Sequence, residues 1–256
     1  MRRVWLIGGT HESADIAHMI AGINLPCIVS VTTASARSLY PISPCLTVSV
    51  GRLSAVQISA FLQAHQISAI LDASHPYAVE ISQAAIAAAQ QQHLPYLRYE
   101  RPSLLAPDSH DIGIDSFETL LSDDYLHGRV LLTVGYRPLH LFQPWQNKAT
   151  LFARILPSAI ALEAALTAGF TPDRLICIRP PISAELETAL WQQWRIQSVV
   201  TKASGTPGGE DIKRRVAREL GIRFIVITRP TVDYPQQTSD LSTALDFCRQ
   251  HLNWSV

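Results

Sequence analysis

Val200-Thr201-Lys202-Ala203-Ser204-Gly205, with Gly208 and Gly209 close behind, brings an ammonium, two hydroxyls and three glycines together. The run lies between a predicted strand, Gln197 to Val200, and a predicted helix, Glu210 to Leu220. Backbone N–H groups, the positive end of that helix and the lysine would converge on one anion. A second such turn stands near the start of the chain. There Gly8-Gly9-Thr10-His11-Glu12 follows the apolar run Val4 to Ile7 and opens a helix. Its glycines permit close backbone approach, and Thr10 can bond a phosphate oxygen. The pattern is not GxGxxG, however, and a tight strand–helix turn without a ligand has the same composition. Glu12 could also be there only because an acid favours the positive helix N-terminus.

Further candidates follow other predicted strands. Ser30-Val31-Thr32-Thr33-Ala34-Ser35-Ala36-Arg37 carries hydroxyls and an arginine. A site selecting NAD usually places an acid there for the ribose 2′-hydroxyl, so Thr33 and Arg37 suit a 2′-phosphate instead. A solvated loop is the alternative. In Asp72-Ala73-Ser74-His75-Pro76-Tyr77, His75 and Tyr77 can contact a ligand or transfer a proton, or serve structure alone. Arg98-Tyr99-Glu100-Arg101-Pro102 puts two guanidinium forks at a strand exit, suited to carboxylates and phosphates. An ion pair of Arg101 with Glu100 or another acid is the competing reading. Arg154 and Arg229 stand at similar strand ends, and interface structure is the simpler reading for Arg229. The four cysteines show no CxxC spacing, and no GxSxG, HExxH or Walker A sequence is present. No metal site is expected.

These turns need elements to hold them. Apolar, β-branched runs predict strands at Val4–Ile7, Cys27–Val31, Thr47–Val50, Ala69–Asp72, Tyr96–Tyr99, Val130–Thr133, Leu151–Ile155, Leu175–Ile178, Ser198–Val200 and Phe224–Ile227. Helices fit at Ser13–Ala21, Val56–Ala64, Ala78–Gln92, Ser116–Leu121, Ala159–Ala168, Ala184–Gln193, Asp211–Leu220 and Thr243–His251. Such alternation favours parallel sheets covered on both faces. The expected fold is α/β, with two Rossmann-like domains of mainly parallel sheet and an active-site cleft between them. Glu100 to Asp111, with Pro102 and Pro107, reads as a linker, which places the domains at 1–105 and 106–256.

Composition narrows the classes. Of the 256 residues, 47% are hydrophobic and 16% charged, ample for a core, and the formal net charge is zero. That removes a general electrostatic drive toward nucleic acid, so anion binding must be local. The longest apolar runs fall far short of the roughly 20 residues that span a bilayer. The chain opens directly on a strand pattern and holds unpaired cysteines, so a reducing, cytoplasmic location is expected.

Several segments in series resemble one family. They are Gly8-Gly9-Thr10 with Glu12, Val50-Gly51-Arg52-Leu53, Asp72 to Ala78, and Leu94-Pro95-Tyr96-Leu97-Arg98-Tyr99-Glu100-Arg101-Pro102. Leu132-Thr133-Val134-Gly135, Arg154-Ile155-Leu156-Pro157, Val200 to Gly205 and Arg229-Pro230 follow in order. The set is similar to the precorrin-6A and cobalt-precorrin-6A reductases of corrin (vitamin B12) biosynthesis, over nearly the whole chain. The resemblance implies reduction of one double bond in a macrocycle bearing many carboxylates, with hydride from NADPH or NADH. It implies catalytic roles for Lys202, Ser204 and His75, and a cofactor site at Gly8, Gly9, Thr10, His11, Glu12, Thr33 and Arg37. Arg98, Arg101, Arg154 and Gly205 would meet the substrate, a tetrapyrrole, with neighbouring corrin-pathway enzymes as partners. The chain departs from the family pattern at Ala203, at Tyr136-Arg137 and at Arg179-Pro180-Pro181-Ile182-Ser183. A two-domain transferase binding a nucleotide sugar or S-adenosylmethionine, and a non-catalytic NAD(P)-binding regulator, are the alternatives.

Overall fold

A computed structural model describes residues 2–102, 104 and 111–252. The chain divides into two compact units. The first contains β1 (Arg3–Ile7), α1 (His11–Gly22), β2 (Cys27–Val31), β3 (Leu46–Val50), α2 (Ala55–Ala64), β4 (Ile67–Asp72), α3 (Val79–Gln91) and β5 (Tyr96–Tyr99). The second contains β6 (Ile112–Ile114), α4 (Phe117–Leu120), β7 (Arg129–Thr133), β8 (Thr150–Ile155), α5 (Ala159–Thr167), β9 (Leu175–Cys177), α6 (Ala184–Gln193), β10 (Ser198–Lys202), α7 (Glu210–Leu220) and β11 (Arg223–Ile227). The chain then returns to the first unit with β12 (Gln237–Thr238) and α8 (Leu241–Leu252). All ten predicted strands and all eight predicted helices form. The two-residue β12 and the three-residue β6 were not expected.

Every strand pair within both sheets is parallel. The first sheet runs β3-β2-β1-β4-β5-β12 and the second β9-β8-β7-β10-β11-β6. Both therefore have the Rossmann order, 3-2-1-4-5 plus a sixth strand. In the first unit the sixth strand comes from the end of the chain. In the second it is the strand that begins the unit. The second domain predicted as 106–256 is accordingly corrected: Thr231–Val256 belongs with the first unit. Ala244, Leu245, Phe247 and Cys248 of α8 are buried in the same core as Val4, Leu6 and Leu71, which gives the segment its reason to return. The predicted linker falls largely on residues outside the described ones.

The central strands are buried on both faces, as parallel strands between helices must be. β2 and β5 have no exposed residue, and Trp5 and Trp191 are among the largest fully buried side chains. Burying each such side chain contributes roughly 1.5–3 kcal/mol or more. Helix starts carry the expected oxygen caps. Thr10 caps α1 with a reciprocal Ser13 bond, Ser54 does the same for α2 with Gln57, and Ser158 and Ser183 cap α5 and α6. Gly221 ends α7 in the left-handed conformation.

Candidate functional site

Ligands of such sheets bind outside the carboxyl ends of the strands, where the strand order reverses. In the first unit that point lies between β1 and β4. Gly8–Glu12 follows β1, and Ala73–His75 follows β4. The two loops are joined: Thr10 Oγ1 donates to the Ala73 carbonyl at 2.9 Å and accepts the Ser13 N–H at 3.1 Å. The donor of Thr10 is thus committed inside the protein, and a phosphate would meet backbone here rather than the hydroxyl hydrogen. Of the first-turn N–H groups of α1, that of Ser13 goes to Thr10 Oγ1, and those of His11 and Glu12 have no intrahelical acceptor, as at any helix start, at the positive end of the helix dipole. Gly9 has φ +107, and a Cβ placed on it meets nothing within 4 Å, so space lies above the turn. His11 and His75 are exposed beside it. Glu12 pairs with Arg101, whose Nε is 2.9 Å from Oε1. Both Glu12 carboxylate oxygens are buried and have no hydrogen-bond partner among the described residues.

Tyr40 closes this turn from the other side. Its hydroxyl accepts the Gly9 N–H at 2.7 Å and lies 2.7 Å from Ser13 Oγ. A Cβ on Gly8 would come within 2.3 Å of that oxygen, so Gly8 must be glycine because Tyr40 is there. Burial raises the Tyr40 pKa and keeps the phenol neutral. Thr33 and Arg37 are exposed just beyond β2, Arg37 within a short 3-10 helix, Ala34–Leu39, that leads to Tyr40.

Arg98, expected to meet a substrate carboxylate, is only 1% exposed. Its Nη1 donates to Asp72 (3.0 Å) and Ser74 (3.1 Å), and its Nε to Glu100 (2.8 Å). Asp72, fully buried, also accepts from Ser82 and Tyr96. Burial and the Asp72 charge push the Tyr96 pKa up. This network ties β4 to β5 and is internal.

In the second unit the order reverses between β7 and β10. The loop after β10 turns at Gly205, φ +70, and its N–H donates to Glu210 Oε2 at 2.7 Å. Glu210, fully buried at the start of α7, pairs through its other oxygen with Arg214, which also bonds Asp111. Ser204 is 8% exposed, and a Cβ on Gly208 would fall 2.0 Å from its Oγ, so the loop closes on that hydroxyl. Lys202 ends β10 with Nζ 5.5 Å from the centre of the Phe117 ring. Burial first, and the positive charge of Arg137 second, lower its pKa to about 8. Arg137 is exposed in the loop after β7, the strand beside β10. Two cations therefore converge where the strand order reverses. Behind them, Lys213 is 2% exposed and donates to Thr201 Oγ1 at 2.8 Å, and burial lowers its pKa to about 7. Arg154, also expected at the substrate, is paired with Glu187, which in turn accepts from Trp191 Nε1. Arg229 Nε donates to the Ala203 carbonyl at 2.9 Å and braces the loop.

The structure thus brings together Gly8, Gly9, Thr10, His11, Glu12 and His75 in one unit, with Lys202, Ser204 and Gly205 in the other. Arg98, Arg101 and Arg154, expected at the substrate, each have a carboxylate partner within the fold. Gly205 likewise spends its N–H on Glu210. Tyr40, Glu210 and Lys213 were not singled out, and Arg137 was noted only as a departure from the family pattern. Glu210 did carry a local signal, an acid immediately after a glycine turn at a helix start.

Two parallel six-stranded sheets, each with a glycine turn where its strand order reverses, define a Rossmann-like α/β protein of two units. Residues 3–249 match the family model for "Precorrin-6x reductase CbiJ/CobK", and the chain belongs to this family. It is 49% identical to a cobalt-precorrin-6A reductase of Synechocystis over 97% of both chains. It is 32% identical to a precorrin-6A reductase of Rhodococcus erythropolis over 94% of both. A solved structure of CobK precorrin-6A reductase shares the fold, with a TM-score of 0.77 at 24% identity over 98% of this chain and 97% of that one. The protein is therefore a reductase of corrin biosynthesis, acting on a CH–CH bond with a nicotinamide cofactor. Among the described residues, no helix is long and apolar enough to cross a membrane and no side-chain cluster could hold a metal ion.

Proposed function

We propose that this chain reduces one ring double bond of cobalt-precorrin-6A, giving the 6B form, with NADPH as hydride source. The observation that carries the reading is the family match over residues 3–249, joined to 49% identity with a cobalt-precorrin-6A reductase. The nicotinamide supplies the hydride when bound. The protein's part is to bind, orient and provide a proton. The Gly8–Glu12 turn and the N-terminus of α1 receive the diphosphate. Thr33 and Arg37 hold the 2′-phosphate, since the stretch after β2 contains no acid to hold a 2′-hydroxyl. Glu12, ion-paired with Arg101 in the first turn of α1, flanks the turn on the ribose side.

Lys202 and Arg137 hold carboxylates of the macrocycle. Arg98, Arg101 and Arg154 stay out of the substrate site because their charges are balanced within the fold. His75, exposed after β4, hands over the proton that completes the addition. Ser204 shapes the loop that presents Lys202. The cysteines Cys27, Cys45, Cys177 and Cys248 are free, which fits a reducing, cytoplasmic setting.

The test is anaerobic assay of the purified protein with cobalt-precorrin-6A and with metal-free precorrin-6A, each with NADPH and NADH. Nucleotide oxidation fastest with the cobalt substrate and NADPH is expected. Oxidation by neither macrocycle would remove the reductase assignment for this chain, and preference for NADH would move Arg37 out of the cofactor site.

A further inference from the structure

The two parts of the nucleotide site proposed above are separated in sequence. The diphosphate turn is at Gly8–Glu12, and the loop with Thr33 and Arg37 follows β2. Both loops are surface segments, and their parent strands, β1 and β2, fix only where each begins. One described side chain joins the end of the second loop to the first. Tyr40, 7% exposed, stands one residue beyond the 3-10 helix that carries Arg37. Its hydroxyl reaches back 31 residues to Gly9 N and 27 to Ser13 Oγ, each at 2.7 Å.

Proton counting gives the direction of this chain of bonds. Ser13 Oγ has one hydrogen, and the Thr10 carbonyl, 2.7 Å away, can only accept it. The Thr10 N–H also points at Ser13 Oγ, at 3.1 Å. Using every contact therefore requires Tyr40 to donate to Ser13 Oγ while accepting from Gly9. The sequence Gly9 N–H to Tyr40 O–H to Ser13 O–H to Thr10 carbonyl is buried beyond its exposed Gly9 end and made of neutral groups. Chains of this kind polarise one another and hold one geometry. The close approach of Tyr40 to Gly8 adds a steric stop, since even one added carbon would displace the phenol.

We propose that Tyr40 is the positioning residue of the nucleotide site: it sets the loop bearing Thr33 and Arg37 in register with the Gly8–Glu12 turn, and so determines how strongly Arg37 can read a 2′-phosphate. The inference rests on the assignment of the nucleotide to this turn. It assigns Tyr40 no contact with the ligand. The phenol also occupies the Gly9 N–H, and Thr10 Oγ1 that of Ser13, which leaves the N–H groups of His11 and Glu12 as the donors for phosphate.

The experiment uses fragments that cannot react, 2′,5′-ADP and 5′-AMP, titrated calorimetrically into the parent protein, Tyr40→Phe, Arg37→Ala and the double variant. In the parent, 2′,5′-ADP is expected to bind at least tenfold tighter than 5′-AMP. Tyr40→Phe should reduce that preference to threefold or less. Arg37→Ala should reduce it similarly, and the double variant should be no worse than either single one. Additive losses in the double variant, or an undiminished preference in Tyr40→Phe, would overturn the positioning role while leaving the turn as the nucleotide site. Failure of the parent to bind either fragment would overturn the site assignment and this inference with it. Ser13→Ala, which keeps the phenol but removes its acceptor, should fall between the parent and Tyr40→Phe. A Ser13→Ala preference equal to the parent's would mean that the chain of bonds is not what holds Tyr40.

Discussion

The two units use the same strand order and close their glycine turns in opposite chemical ways. In the first, the turn N–H of Gly9 goes to the neutral phenol of Tyr40, and the Ser13 hydroxyl carries the chain of bonds on to the Thr10 carbonyl. In the second, the turn N–H of Gly205 goes to the carboxylate of Glu210, which is held by Arg214 and through it by Asp111. A neutral closure adds no net charge of its own beside the N-terminus of α1. A carboxylate closure sets Glu210, balanced by Arg214, against the N-terminus of α7, so the positive end of that helix is already answered from within the fold. The comparison is the physical ground for proposing the nucleotide diphosphate at the first turn. The second turn offers side-chain cations, Lys202 and Arg137, at its outer edge instead.

The sharpest way to break this contrast is Glu210→Ala. It strands Gly205 N–H and leaves Arg214 with only Asp111, so a stability loss of about 3–5 kcal/mol is expected. A melting temperature within a few degrees of the parent would show that the carboxylate closure is dispensable. Next comes Lys202→Ala, for which turnover at low substrate should fall tenfold or more, equivalent to about 1.5–3 kcal/mol of charge-assisted bonding. Its titration sharpens the point. Burial lowers the Lys202 pKa to about 8, so the cation is present below that pH and lost above it. The kcat/KM profile of the parent should therefore decline as pH rises through about 8, and that limb should vanish in Lys202→Ala.

The stability linkage has its own sign. Folding disfavours the protonated amine, so between about 8 and the ordinary lysine value the unfolded chain binds more protons, and stability attributable to this group rises with pH. The smallest effect is expected at the neutral closure. Thr10→Ala removes the cap of α1 and the bond to Ala73, at a cost of about 0.5–2 kcal/mol in chemical denaturation. A loss as large as that of Glu210→Ala would erase the distinction between the two turns.

Much of the architecture was legible because parallel strands buried on both faces read as short β-branched runs, such as Cys27–Val31. β6 escaped because Ile112-Gly113-Ile114 has a glycine at its centre and too few residues for a period. β12 escaped because Gln237-Thr238 has no apolar signal at all. The amphipathic pattern of α8 reveals a helix but not which sheet its face will cover. The same limit governs the site. Arg98 looks like an open cation next to a strand exit, and only the parallel register that sets it beside Asp72 shows that it is neutralised. Tyr40 carries no motif, and its meaning arises from a contact 31 residues away. Local turns are written in adjacent residues, whereas the partners that close them are chosen by the sheet.

The return of Thr231–Val256 to the first unit gives the chain a particular order of manufacture. A polypeptide leaving the ribosome usually completes its domains from the N-terminus onward. Here the second unit, Ser103–Pro230, is finished first, while the unit that was begun earlier still lacks its edge strand and the helix over its core. Until β12 and α8 emerge, β5 has an unpaired edge and the apolar face under Leu245 and Phe247 has no cover. The nascent chain therefore carries its first glycine turn, Gly8–Glu12, in a half whose core is still waiting for α8.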